Sequence, residues 1–323
     1  MAPGFSPSTV VTKMNMALVH RGPDDGGQFN DHTCSIAMRR LSIIDLATGH
    51  QPIENEDNSL TIAFNGEIYN FAALRKQMEK AGRHQFRTQT DTEVILHLYE
   101  DYGSETPSLL HGMFAFCIYD RRDKTMFLAR DRFGEKPLYY SIQGGALAFS
   151  SEIDSLLSWS EIPRKIDYEA LYYLLHVGYI PAPLTLFKDV KQLPAGHWMR
   201  WGAGQLTIES FYHPVYEPDP YLQDERAAVE TLRDTLIRTV RDQMVADVPL
   251  GAFLSGGIDS STIVAAMQQI SSRPVKTFTA RFEYAPYDES HIARSVAEHL
   301  GTDHHEIVVT NKSFDDEDLW RIV

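Results

Sequence analysis

The run Leu254-Ser255-Gly256-Gly257-Ile258-Asp259-Ser260-Ser261 constrains the fold more than any other stretch of the chain. An apolar segment, Val248-Pro249-Leu250-Gly251-Ala252-Phe253, precedes it, and an apolar-periodic segment from Ile258 to Ile270 follows. That order reads as strand, glycine turn, helix. Hydroxyls and glycines at a helix N-terminus make an anion site. Glycine lets a phosphate come close to the backbone, and the first free N–H groups of the helix point at it. The run lacks the lysine of a Walker A loop and the spacing of a Gly-x-Gly-x-x-Gly dinucleotide turn. An acid inside an anion site makes chemical sense if Asp259 holds Mg²⁺, which bridges and neutralises phosphate oxygens. The plainer alternative is a turn that joins strand to helix for packing alone.

The surroundings of this run alternate. A helix is expected over 225–245, where Val229, Leu232, Leu236, Val240 and Met244 share one face. Strands over 248–253, 275–282 and 305–309 then alternate with helices over 258–270 and 289–300. Such alternation implies parallel strands with crossover helices, and it puts the loop at the carboxyl end of the first strand.

Between Cys34 and Ser150 the texture is different and mainly β. Strands are expected over 35–41, 59–65, 113–120, 125–130 and 146–150. Helices are expected over 69–81, 92–102 and 167–176, the last with Asp167 as its cap. From Pro181 to Pro220, prolines and glycines cluster and read as turns and a linker. The expected division is a first domain over 1–203 and a second over 204–323.

Composition closes off several classes. Apolar residues at 43% suffice for packed cores, and a net charge of −14 argues against a nucleic-acid partner. No apolar run reaches membrane-spanning length, and the first residues lack the basic and apolar parts of a signal peptide. Two cysteines, Cys34 and Cys117, are too few for a disulfide framework or a zinc site, and both sit in apolar runs as small core residues. A cytoplasmic protein is expected.

Five runs in the β-rich part occur together: His20-Arg21-Gly22-Pro23-Asp24, Arg40-Leu41-Ser42-Ile43-Ile44-Asp45, Phe64-Asn65-Gly66-Glu67-Ile68-Tyr69-Asn70, Thr90-Asp91-Thr92-Glu93-Val94-Ile95, and Arg130-Asp131-Arg132-Phe133-Gly134-Glu135-Lys136-Pro137-Leu138-Tyr139-Tyr140. In this order they resemble the class II glutamine amidotransferase domain of glutamine-hydrolysing asparagine synthetases. The later part agrees. Asp247-Val248-Pro249 precedes a loop similar to the Ser-Gly-Gly-x-Asp-Ser signature of ATP pyrophosphatases. Tyr287-Asp288-Glu289-Ser290 and Gly301-Thr302-Asp303-His304-His305-Glu306 follow it.

The resemblance implies an α+β first domain, an αββα sandwich like those of Ntn hydrolases. An incomplete α/β parallel-sheet domain of Rossmann-like form follows it. It implies that L-glutamine is held by Arg40 at its α-carboxylate and by Glu67 and Asp91 at its α-ammonium. The Asn65 side chain and Gly66 N–H would stabilise the oxyanion formed on amide hydrolysis. It further implies that Ser255, Gly256, Gly257, Asp259 and Ser260 hold the pyrophosphate of ATP with Mg²⁺ on Asp259. Leu254 and Ala280 would line adenine or ribose. Taken singly these residues have plainer readings: Asn65-Gly66 as a hairpin turn, Arg40 as a surface charge, Asp91 as a helix cap.

The family's glutaminase nucleophile is a cysteine made N-terminal by Met removal, whereas this sequence opens Met1-Ala2-Pro3-Gly4-Phe5. No second Ser-Gly-Gly-Asp-Glu-like run follows Glu306. The expectation is therefore a chain clipped at both ends, catalytically incomplete, with exposed apolar faces and partial order beyond Ser210. The implied activity is glutamine hydrolysis coupled to ATP-dependent adenylation and amidation of aspartate. The alternatives are a related amidotransferase acting on a sugar acid, surface polymer or β-lactam precursor, or a non-catalytic module that binds glutamine or nucleotide. A homodimer is compatible with the resemblance.

Overall fold

Alternation along two long strands organises the first unit. The computed structural model describes residues 7–310 except 44, 46, 47, 285 and 287. The chain divides into two units, Met1–Val215 and Tyr216–Val323. Strands β4 (Leu60–Ile68) and β5 (Gly112–Asp120) pair antiparallel at the centre of the first. Leu60, Ile62 and Phe64, with Phe114, Phe116 and Ile118, pack on the side of Val94, Ile95 and Leu98. Those last three belong to α3 (Asp91–Tyr102), and Met78 of α2 (Phe71–Ala81) joins them. The residues in between, Ala63, Ala115, Cys117 and Tyr119, face the opposite way and pack with Ile36, Leu138 and Tyr140. Side chains of period two thus feed two different cores from one sheet.

Among the described residues the central sheet has the order β11-β10-β6-β5-β4-β3. It adds β3 (Ile53–Glu54), β6 (Thr125–Arg130), β10 (His197–Gly202) and β11 (Gln205–Ser210). Its second face meets β1 (Asp25–Asn30) with β2 (Ser35–Arg40), and the sheet of β7 (Tyr139–Gln143), β8 (Ala146–Ser150) and β9 (Lys191–Gln192). Behind that layer, α1 (Pro7–Met16) and α5 (Ile153–Leu157) pack through Met14, Leu156 and Leu157 on Tyr139 and Ala148. The layers run helix, sheet, sheet, helix, which is the αββα arrangement expected. A short α4 (Thr106–Leu109) and an outlying α6 (Tyr168–Val177) complete the unit. Asp167 caps α6, its carboxylate accepting from Glu169 N at 3.1 Å.

One reading of the sequence needs correction. The proline-rich stretch after Pro181 is not linker throughout. His197–Gly202 and Gln205–Ser210 form a hairpin, and β10 pairs with β6 in the central sheet. Met199 is fully buried there. The first unit therefore runs past residue 203, to Val215.

The second unit contains α7 (Glu225–Gln243) and the parallel sheet β12 (Gly251–Phe253), β13 (Lys276–Phe282) and β14 (Asp303–Val309) in that order. The crossovers are α8 (Ile258–Ile270) and α9 (Ser290–Leu300). Two small cores hold it: Val240, Met267 and Val275 in one, Leu254, Val264, Ala293 and Ala297 in the other. Among the described residues no helix is long and apolar enough to cross a membrane. The opening run Met1 to Phe5, the closing residues 311–323, and Ile44 and Tyr287 of the quoted motifs lie outside the described residues.

Candidate functional sites

A cavity of about 520 Å³ in the first unit is lined by Arg40, Asn65, Gly66, Glu67 and Asp91 together. Three separate segments deliver them. Arg40 ends β2 and is buried. Its Nη2 donates to the Asp45 carbonyl at 3.0 Å. Two glycines make room for it. A Cβ at Gly49 would stand 2.9 Å from the guanidinium carbon, and one at Gly22 would overlap the Arg39–Arg40 backbone. The Asp45 carboxylate accepts from Gln89 N at 2.8 Å, which ties the loop after β2 to the start of α3.

Asn65, Gly66 and Glu67 lie inside β4, so Asn-Gly is not a hairpin turn here. Gly66 is opposite Phe114 of β5. A Cβ there would overlap the Met113 carbonyl oxygen and stand 2.8 Å from Phe114 Cα. Only glycine permits so close an approach of the two strands. Asp91 is not the cap of α3 either. Thr90 is, its hydroxyl accepting from Glu93 N at 3.3 Å. Asp91 is the first helical residue, and its Oδ2 accepts from Ile68 N at 3.0 Å. That bond fixes the helix start to the end of β4.

The acids of this cavity are held in a state that favours a cation. Burial pushes Asp91 up to about 6, and the neighbouring Glu67 carboxylate adds to the rise, against hydrogen bonds from backbone N–H groups. Burial also raises Glu67, with Lys136 opposing it. Two desolvated carboxylates of like charge gain from an ammonium ion placed between them. Lys136 and Gly49 are contributors whose roles the sequence alone left unread. Lys136 stands in a quoted motif with no role visible, and Gly49 in a loop whose contact with Arg40 is tertiary.

Much of the motif from Arg130 to Tyr140 builds the scaffold instead. The Asp131 carboxylate accepts from Phe133 N at 3.1 Å, Glu135 N at 3.0 Å, Lys136 N at 3.0 Å and Phe114 N at 3.2 Å. Arg130 donates to the carbonyls of Gly134, Lys136 and Leu193. Cys34 and Cys117 are free thiols buried between the sheets, as expected of core residues. Burial pushes Cys34 up to about 12 and raises Cys117 well above the usual thiol range, so neither supplies a thiolate near neutral pH.

In the second unit the loop 254–257 joins β12 to α8. Gly256 has φ +79°, and a Cβ there would stand 2.8 Å from Ala293 N. Ser255 Oγ and Ser260 Oγ lie 2.9 Å apart, and Gly257 N donates to Ser255 Oγ at 3.3 Å. Ser255, Gly257 and Asp259 are exposed. The structure brings these five positions together at one helix N-terminus. Leu254, expected to line adenine or ribose, is buried. Its side chain is packed with Val264 and Ala293, and its N–H and carbonyl bond Phe278 and Thr279. Its side chain thus packs in a core built from α8 and α9. Ala280 is exposed on β13 opposite Ile307.

The glutamine amidotransferase domain family matches residues 2–212. The chain belongs to that family. The asparagine synthase family matches residues 231–322 of the same chain. Asparagine synthetase [glutamine-hydrolyzing] 1 of Bacillus subtilis (strain 168) is 38% identical over 309 residues, which is 95% of this chain and 48% of that protein. Asparagine synthetase [glutamine-hydrolyzing] 3 of the same organism is 31% identical over 321 residues, 94% of this chain and 52% of that protein. The chain spans about half the length of these curated relatives. Among solved structures, the glutamine phosphoribosylpyrophosphate amidotransferase from B. subtilis covers 95% of this chain, with 91% of its own length matched. Its TM-score is 0.47 at 16% identity, too slight a likeness to carry weight.

Proposed function

We propose that this amidotransferase chain binds L-glutamine in the cavity of its first unit and the pyrophosphate part of Mg·ATP at the loop of its second. It would serve a glutamine-dependent, asparagine-synthetase-type reaction. The observation that carries the reading is the convergence of Arg40, Asn65, Gly66, Glu67 and Asp91 on one cavity. Arg40 grips the α-carboxylate of glutamine, and Glu67 with Asp91 takes the α-ammonium. The side-chain amide of glutamine then lies toward Asn65 and Gly66. Their N–H groups stabilise the negative charge that develops on its oxygen as the C–N bond is cleaved. Cys34 and Cys117 also border this cavity, but both are buried and burial raises the pKa of each, so neither offers a ready thiolate. The chain alone is accordingly expected to bind glutamine without releasing glutamate. Measurable glutamate release would overturn the assignment of both cysteines to the core.

In the second unit, the space kept by Gly256 and the paired hydroxyls of Ser255 and Ser260 fit a phosphate group. Asp259, exposed beside them, is the residue suited to Mg²⁺. Bound ATP supplies the activation of a carboxylate, that of aspartate or of a related acceptor, toward attack by ammonia. Equilibrium dialysis against pyrophosphate tests this part. Wild-type chain should retain it only with Mg²⁺, and Asp259→Asn should weaken retention about tenfold or more. Equal retention by the variant would remove Asp259 from the site.

A further inference from the structure

The first unit holds a second cluster of ligand-type side chains, and none of its members lines the glutamine cavity. Glu56 lies between β3 and β4, His84 follows α2, and His97 and Glu100 stand three residues apart on α3. That spacing puts the last two on one helix face. One ligand atom from each of the four lies within 4.8 Å of the others. We infer that Glu56, His84, His97 and Glu100 bind one divalent transition-metal ion of the zinc class.

The distances support a tetrahedral ion. His97 Nδ1 is 2.7 Å from Glu100 Oε2 and 3.7 Å from Glu56 Oε2. His84 Nδ1 is 3.5 Å from Glu100 Oε2 and 4.0 Å from Glu56 Oε1. Ligands at about 2.0–2.1 Å from zinc stand about 3.3 Å from one another, inside this range. Two imidazoles with two carboxylates suit a borderline ion, whereas Mg²⁺ and Ca²⁺ favour oxygen alone. Two carboxylates also balance the charge of a divalent cation.

The outer shell is the independent observation. A metal on Nδ1 leaves the proton of each ring on Nε2. His97 Nε2 lies 3.7 Å from Glu93 Oε1, and His84 Nε2 lies 3.2 Å from Asp101 Oδ2. Both nitrogens are buried without a well-formed hydrogen bond, and each faces a carboxylate. Carboxylates in that place orient metal-bound histidines. The ligating acids are steadied too. Asn55 Nδ2 donates to Glu100 Oε1 at 2.8 Å, and Gln85 N donates to Glu56 Oε1 at 2.7 Å. His97 is 1% exposed, and its ring stacks on His84 with centroids 4.5 Å apart. Packing therefore presets the imidazoles. The ion would clamp the β3–β4 turn and the loop after α2 onto α3, the helix whose first residue is Asp91.

The test uses the full chain, stripped with chelator, equilibrated with Zn²⁺ and desalted. Metal content is read by mass spectrometry and folding by circular dichroism. Wild type should keep about one zinc per chain and melt several degrees higher with zinc than without. The double variant Glu56→Gln/His84→Gln replaces a partly exposed acid and a largely buried imidazole with amides that can still hydrogen-bond. It should keep the helical spectrum and lose both the zinc and the shift in melting. The single variant Glu56→Gln should bind zinc about tenfold more weakly. A wild type that retains no zinc, or a double variant that retains as much, would overturn the site. The cluster would then be a metal-free network of imidazolium and carboxylate groups.

Discussion

Asp91 carries a cost in the fold that its proposed role requires. Burial and the nearby Glu67 raise its pKa from 3.8 to about 6. The folded chain therefore holds the Asp91 proton more tightly than the unfolded chain does. As pH rises from about 4 through 6, the unfolded state releases that proton first, and stability falls across the window. Above it the ionised carboxylate is a net burden until an ammonium arrives. Asp91→Asn removes the charge while its amide oxygen can still accept from Ile68 N. The variant should be more stable than wild type at pH 7, by about 1–2 kcal/mol, and should bind glutamine at least about a hundredfold more weakly. Urea denaturation and calorimetry check the two halves. A variant less stable than wild type would contradict the ionisation cost. In wild type, glutamine affinity should rise as pH climbs through about 6, because the ammonium needs both acids ionised. An affinity flat between pH 5 and pH 7 would contradict the assignment of Glu67 and Asp91.

At the scale of elements, backbone hydrogen bonding decides more than periodicity. Asp131 is 1% exposed and holds four N–H groups from the loop after β6 and from β5. Asp131→Ala would leave those donors without their partner in a buried place. The expected loss is about 3 kcal/mol or more, read as a lower urea midpoint, and a loss under about 1 kcal/mol would contradict the scaffold role. The elements that were legible in the sequence share one property. In α3, β4 and β5, apolar side chains are dense, because most of each element lies in a core, on both faces in the case of β5. The hairpin of β10 and β11 was hidden for the opposite reason. Its side chains beyond Met199 and Trp198 are mostly exposed or half-buried, and prolines and glycines surround it. What fixes β10 is pairing with β6, a contact no local pattern records. The same holds for α1, where Met14 is the one residue buried.

At the scale of the whole molecule, the two units show different kinds of site. The loop at Ser255 is local. Its residues are neighbours in sequence, so its geometry at the start of α8 could be read directly from the chain. The proposed glutamine cavity is assembled from Arg40, the strand at Asn65 and the helix at Asp91, which sheet pairing, the Asp45–Gln89 tie and the Asp91–Ile68 bond bring together. The order of motifs therefore pointed to the family, while the physical reasons for each residue needed the fold. Gly49 and Lys136 show the limit, since their value lies in what they face. The central claim is that this cavity recognises glutamine through Arg40 and the paired acids. Isothermal titration of the full chain with L-glutamine tests it most directly, with Arg40→Ala measured beside wild type and circular dichroism confirming that both are folded. The account predicts saturable binding by wild type, weakened about a hundredfold in the variant by loss of the carboxylate grip. Absence of binding by folded wild type, or equal affinity in Arg40→Ala, would contradict it.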